Sequence, residues 1–156
     1  MRTIAFLAML VVGLAGCATT GQSTTYGNFT QSVPAALNQT MADDAAKQLV
    51  AVYPPASTQL DLQHATQDPF GVALVELLRI KGYAVSEFKP AAQVTAATAV
   101  TNEPANSKKP LRYIVDQAES NLYRVTLLVG NQSLTRAYAT AQNGTLYPAG
   151  AWLRKE

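Results

Sequence analysis

The side chain best placed for covalent chemistry is the thiol of Cys17, the sole cysteine, which closes the run Leu14-Ala15-Gly16-Cys17 directly after an apolar stretch. Its thiolate is a nucleophile that can take a diacylglycerol as a thioether. Small residues at Ala15 and Gly16, with Leu14 three positions before the cysteine, suit a signal peptidase that needs an unencumbered bond at Cys17. Cleavage there frees an amino terminus for an N-acyl chain. One acyl chain holds a protein to a membrane only marginally, whereas two or three hold it stably. Cys17 therefore reads as the lipidation site, carrying a covalent diacylglycerol and an N-acyl chain, with Leu14, Ala15 and Gly16 as the peptidase recognition residues.

The elements around Cys17 agree with that chemistry. Arg2 supplies a positive n-region, and Ile4 to Leu14 has the length of a signal-peptide h-region, too short to span a bilayer. After the cysteine comes Thr19 to Thr25, a polar small-residue stretch suited to a flexible tether and unlike the apolar surroundings of a core cysteine. We expect a leader at 1–16, a lipidated tether at 17–33 and one domain at 34–156. Ala18, rather than an acidic residue, follows Cys17, which by analogy with lipoprotein sorting favours the periplasmic face of the outer membrane over inner-membrane retention.

Few other residues suggest chemistry. His64 is the only histidine and reads as a solvated loop residue; with Cys17 committed to lipid, no metal site assembles around it. Ser57, Ser86 and Ser133 lack a Gly-x-Ser-x-Gly elbow. The pair Asp43-Asp44 reads as early-helix acids favoured by the helix dipole, and Lys108-Lys109 as solvated loop charge. Neither a phosphate-cradling glycine loop nor a catalytic carboxylate pair is present, so we expect a binding or scaffold protein rather than an enzyme. The matches Asn28-Phe29-Thr30 and Asn131-Gln132-Ser133 to the glycosylation pattern are chance in a chain with such a leader.

The net charge of +2 falls to about +1 without Arg2, leaving no electrostatic footprint for direct nucleic-acid binding. Charged residues make up only 14%, which suits a surface packed against partners or near a membrane. No second cysteine exists for an internal disulfide.

Periodicity predicts a helix from about Pro34 through Met41, Ala45, Leu49 and Val52, stopped by Tyr53-Pro54-Pro55. Leu60 and Leu62 alternate as a short strand. Asp68 as N-cap, Pro69 at the first helical position, and Phe70, Leu74, Leu77 and Leu78 on one face predict a second helix ending before Gly82. Tyr83 to Phe88 reads as a strand and residues 89–110 as a long loop, in which Gln93 to Thr101 could instead add an irregular strand. Leu111, Tyr113 and Val115, then Tyr123, Val125, Leu127 and Val129, then Leu134 and Tyr138 form a three-stranded antiparallel meander with one apolar face, Arg136 excepted. A three-residue turn at Ala118 to Ser120 would set Tyr113 opposite Val125; a Gly130-Asn131 turn would set Leu127 opposite Leu134 and Tyr123 opposite Tyr138. Tyr113, Tyr123 and Tyr138 read as core. After an Asn143-Gly144 turn, the tail from Leu146 must dock or face a partner, with Tyr147 and Trp152 as candidate interface residues. The fold class is α+β: a small mixed or antiparallel sheet with two helices on one face.

The combination resembles the TrbH conjugal transfer lipoproteins. The resemblance is carried by Leu14-Ala15-Gly16-Cys17, Tyr26-Gly27-Asn28-Phe29, Tyr53-Pro54-Pro55-Ala56, Asp68-Pro69-Phe70-Gly71, Leu77-Leu78-Arg79, Gly82-Tyr83-Ala84-Val85 and the hairpins from Leu111 to Tyr138. It implies a part of a plasmid mating-pair formation apparatus, a type IV secretion system, in which a small lipoprotein assists assembly or stabilisation of the outer-membrane channel complex. The implied partners are membrane lipid through Cys17, channel subunits and neighbouring copies of itself. The element order also looks like the small ring-forming N-domains of secretins. The competing reading is a lipid-anchored periplasmic regulator of a cell-wall synthase or hydrolase.

Overall fold

The computed structural model describes residues 25–30, 33–89 and 108–156, so Leu14 to Cys17, most of the tether ahead of Thr25 and the interior of the 89–110 segment lie outside the described residues. The elements run β1 (Gly27–Asn28), α1 (Ala35–Val52), a 3-10 turn (Pro55–Ser57), β2 (Gln59–Leu62), α2 (Pro69–Ile80), β3 (Ala84–Ser86), β4 (Lys108–Glu119), β5 (Leu122–Val129), β6 (Gln132–Thr140), β7 (Leu146–Pro148) and β8 (Leu153–Lys155). This is an α+β domain built on a mixed open sheet.

Both helices form for the reasons their sequences carry. Asp68 caps α2 by accepting the Gly71 amide at 3.0 Å, Pro69 sits where no donor is needed, and Gly82 leaves the helix at φ +89°. In α1 the small residues Ala42, Ala45 and Ala46 alternate with Met41 and Leu49 on the buried face, and Tyr53-Pro54 ends the helix. Pro34 stands as the N-cap position rather than within the first turn.

The sheet order is β3-β2-β4-β5-β6-β7, with β1 also on β4 and β8 also on β6. Strands β3, β2, β1 and β4 run parallel; β4 to β8 are antiparallel. Alternate residues of the long strands point to one face: Leu111, Tyr113 and Val115 from β4, Tyr123, Val125, Leu127 and Val129 from β5, Leu134 and Tyr138 from β6. Leu60 and Leu62 join them, and α1 and α2 cover that face in a single core. Each fully buried leucine contributes about 1.5–3 kcal/mol there.

Three expectations need correction. The β4–β5 turn is Ser120-Asn121, with a register irregularity between Gln117 and Glu119, so Tyr113 faces Leu127 and Val115 faces Val125. The slip is of two residues, which preserves the apolar face because the side-chain period of a strand is two. The β5–β6 pairing is as expected, Leu127 with Leu134 and Tyr123 with Tyr138. Second, Lys108 to Pro110 are not loop: they pair in parallel with Gln59 to Asp61. Pro110 is tolerated because its carbonyl accepts Gly130 N–H at 2.9 Å, so its missing donor points to the end of the β4–β5 ladder. Third, Gly27-Asn28 is not tether but strand β1, lying along β4 beyond the end of β2, with Phe29 N–H donating to Val115 O at 2.7 Å.

Candidate functional site

Of the residues singled out in the sequence, Tyr147 and Trp152 are described and part company. β7 and β8 are two pieces of one broken edge strand on β6, and the break lets Trp152 turn inward. Trp152 packs against the core and donates its indole N–H to Asp44 Oδ2 at 3.1 Å. Tyr147 remains 49% exposed and Leu153 70% exposed. The outward surface of this edge is therefore Tyr147 with Leu153.

Asp44 is the node that sets this geometry. It lies in the middle of α1, not in its first turn, so its position is explained by partners and not by the helix dipole. Arg136 Nη1 reaches both carboxylate oxygens, at 3.1 and 2.9 Å, and Tyr138 Oη donates at 2.6 Å. Arg136 Nε also donates to Gly150 O at 2.8 Å. The charged exception on the apolar face of β6 is thus a half-buried ion pair joining helix, sheet and tail. Burial, reinforced by the hydrogen bond to Asp44, pushes the Tyr138 hydroxyl well above its ordinary pKa. Neighbouring Asp43 pairs with Lys47 one turn on, at 2.5 Å on the surface.

A second node surrounds His64. The expectation of a solvated loop residue is overturned: His64 is 7% exposed, and among the described residues neither ring nitrogen has a hydrogen-bond partner. Its ring meets Tyr113 edge-on at 4.4 Å between centroids and lies 6.0 Å from Tyr26. Tyr113 passes across to Asp68, whose Oδ2 accepts its hydroxyl while Oδ1 caps α2. An added Cβ on Gly71 would overlap Tyr113 Oη and press to 3.0 Å on Thr66 Cα, so glycine is required where the tyrosine reaches its acceptor. On the other side Arg112 donates to Tyr26 Oη at 3.0 Å and lies 4.9 Å over its ring, with Arg112 Nε unpartnered. Burial lowers the His64 pKa, Asp68 opposing and Arg112 adding to the shift. An orphaned buried polar atom costs about 1–3 kcal/mol, so two on one imidazole call for an explanation. The sequence offered no signal for this, because Tyr26 and Tyr113 come from distant segments.

Neither node is catalytic in form. Ser57 lies in the 3-10 turn, Ser86 on β3 and Ser133 on β6, and no described serine hydroxyl reaches His64. Among the described residues no group of three or more His, Cys, Asp or Glu side chains could hold a metal ion.

The chain matches the family described as conjugal transfer protein TrbH over residues 23–156, nearly the whole of it. The chain belongs to the TrbH family. Comparison with curated proteins and with solved structures finds no match for either.

This TrbH domain also carries a shallow groove of about 350 Å³ on the outer side of α2, lined by Val72, Val75, Glu76, Arg79, Ile80 and Glu87, among other residues. Val72 and Ile80 are exposed, and Arg79 pairs with Glu87 across the groove. Lys109, read from sequence as loop charge, stands 5.6 Å over the Tyr53 ring. No described helix is long and apolar enough to cross a membrane.

Proposed function

We propose that this chain is a lipid-anchored component of a plasmid conjugal transfer apparatus, a type IV secretion system, held at the periplasmic face of the outer membrane by acylated Cys17. There it assists assembly or stabilisation of the outer-membrane channel complex. The observation that carries the reading is the junction of two sequence features: the TrbH match begins at residue 23, just after a lipidation motif at Leu14 to Cys17 and a polar linker. A leader and anchor placed immediately ahead of a conjugal-transfer domain suit a part that works at a membrane.

Binding rather than catalysis is the role that follows. The chain is poor in charge, and the domain offers an exposed edge at Tyr147 and Leu153 and a groove on α2 with exposed Val72 and Ile80. These suit contact with channel subunits or with neighbouring copies. No bound cofactor enters this account beyond the lipid on Cys17.

The anchor is tested by the intact mass of the protein extracted from membranes in mild detergent. The expected species begins at Cys17 and carries diacylglyceryl and N-acyl masses, and Cys17→Ser shifts the protein out of the membrane fraction. A wild-type protein that is unmodified at Cys17 and fractionates like Cys17→Ser would overturn it.

A further inference from the structure

The strap formed by Tyr26 to Phe29 is held by little. β1 contributes two paired residues, Gly27 with Ile114 and Asn28 with Val115, and beyond them the Phe29 amide bonds Val115 O. Among the described residues, Asn28 Nδ2 donates to Asn38 Oδ1 at 3.0 Å, and the Tyr26 hydroxyl is bonded by Arg112 while its ring lies 6.0 Å from His64. Everything else around His64 is rigid by comparison. Tyr113 is fully buried on β4 opposite Leu127 of β5, and Asp68 is fixed by capping α2. Free energies of local opening are lowest where buried contacts and ladder bonds are fewest, which here is the strap.

We propose that the strap is a pH-responsive clasp: protonation of His64 releases Tyr26 and β1 from β4, and the neutral imidazole holds them closed. A protonated ring is a double donor, yet neither nitrogen meets a hydrogen-bond acceptor among the described residues. The groups that face it are Asp68 from the α2 cap, Tyr113 and Arg112 from β4, and Tyr26 from the strap. Each Asp68 oxygen is aimed at another donor, Oδ1 at Gly71 N–H and Oδ2 at Tyr113 Oη, and neither bonds the ring. Arg112 repels a second cation and already occupies the face of Tyr26. Water must then reach the ring, and displacing Tyr26 is the smallest movement that admits it.

The sign follows from linkage. With Tyr26 released, His64 regains its ordinary titration near about pH 6.5, so the open form binds a proton that the closed form resists. The clasp is closed above that pH and weakens below it, by at most about tenfold in its closing equilibrium per pH unit. Where Cys17 anchors the chain, a consequence that rests on the function proposed above, release of residues 26–30 would add about 17 Å of reach to the tether.

Because the chain has one histidine, its imidazole gives a single signal to follow. The full chain in detergent micelles is titrated from about pH 8 to about pH 5, recording the His64 ring by NMR and the exchange protection of the Phe29 amide, corrected for intrinsic rate. The expected result is a His64 midpoint below the ordinary value, with Phe29 protection falling on the same curve. Tyr26→Ala should return the midpoint toward the ordinary value, and His64→Phe should leave Phe29 protection independent of pH. Phe29 protection that stays flat while wild-type His64 titrates would overturn the clasp, as would a His64→Phe protein that still loses protection in acid. None of these readouts involves lipid or channel subunits, so failure here is separate from failure of the anchoring role.

Discussion

Trp152 donates its indole N–H to Asp44 at 3.1 Å, fastening the last residues of the chain to the middle of the first helix. Arg136 and Tyr138 meet the same carboxylate, so one side chain joins α1, β6 and the tail. Asp44→Ala should strand the Tyr138 hydroxyl and the Arg136 guanidinium together. We expect a loss of about 2–4 kcal/mol, above the usual cost of a single hydrogen bond, read by urea unfolding followed through the fluorescence of Trp152, the only tryptophan. A loss under about 0.5 kcal/mol would show that the node does not hold the tail.

Tyr147 and Trp152 should separate in urea unfolding followed by far-ultraviolet circular dichroism, a readout that survives loss of the only tryptophan. Tyr147→Ala removes a half-exposed ring and is expected to change stability by no more than about 0.5 kcal/mol, so any effect on binding is its own. Trp152→Ala removes core packing and a hydrogen bond and should cost about 1–3 kcal/mol.

Gly71→Ala should destabilise by about 1–3 kcal/mol through overlap with Tyr113 Oη and pressure on Thr66. Removing the hydroxyl in Gly71→Ala with Tyr113→Phe should recover part of that loss, the Thr66 contact remaining. A double variant whose loss equals the sum of the two singles would contradict the assigned clash.

Alkaline pH should weaken the fold by a defined route. Burial pushes the Tyr83 hydroxyl up to about 12, and burial raises Tyr113 and Tyr138 as well, with carboxylate acceptors adding to both. Their folded-state values lie above the unfolded value of about 10, so the contribution is complete below pH 10 and is lost as pH rises through the folded values. Urea midpoints should hold near about pH 9 and fall by about pH 11, with Tyr138→Phe showing a shallower fall. A midpoint that did not move over that range would contradict the burial assigned to these hydroxyls.

The parts of this fold legible from sequence are those fixed by local chemistry. Asp68, Pro69 and Gly82 set both ends of α2 because capping and backbone rules act over a few residues. The apolar face of the meander was legible, since alternation survives a two-residue slip, while the register itself depended on the Ser120-Asn121 turn and its irregularity. Parallel pairing of β1 and β2 with β4 left no local mark, because the partners lie far apart in sequence. Arg136 did carry a signal: a lone cation on an apolar strand face requires a buried carboxylate, and Asp44, beside core residue Ala45, was the helix acid able to reach it. His64 carried none, since only the tertiary meeting of Tyr26, Tyr113 and Arg112 buries it.

On the proposed function, a TrbH domain works at the transfer channel because Cys17 holds it there. The most direct test is affinity purification of a C-terminally tagged full chain from conjugating donor cells after gentle detergent extraction, wild type against Cys17→Ser, with mating efficiency measured in parallel. Channel subunits are expected with the wild-type protein, with their loss from the variant and impaired transfer by cells carrying only the variant. Cell-wall enzymes in place of channel subunits, with mating untouched by the substitution, would contradict it and favour the regulator of a wall synthase or hydrolase.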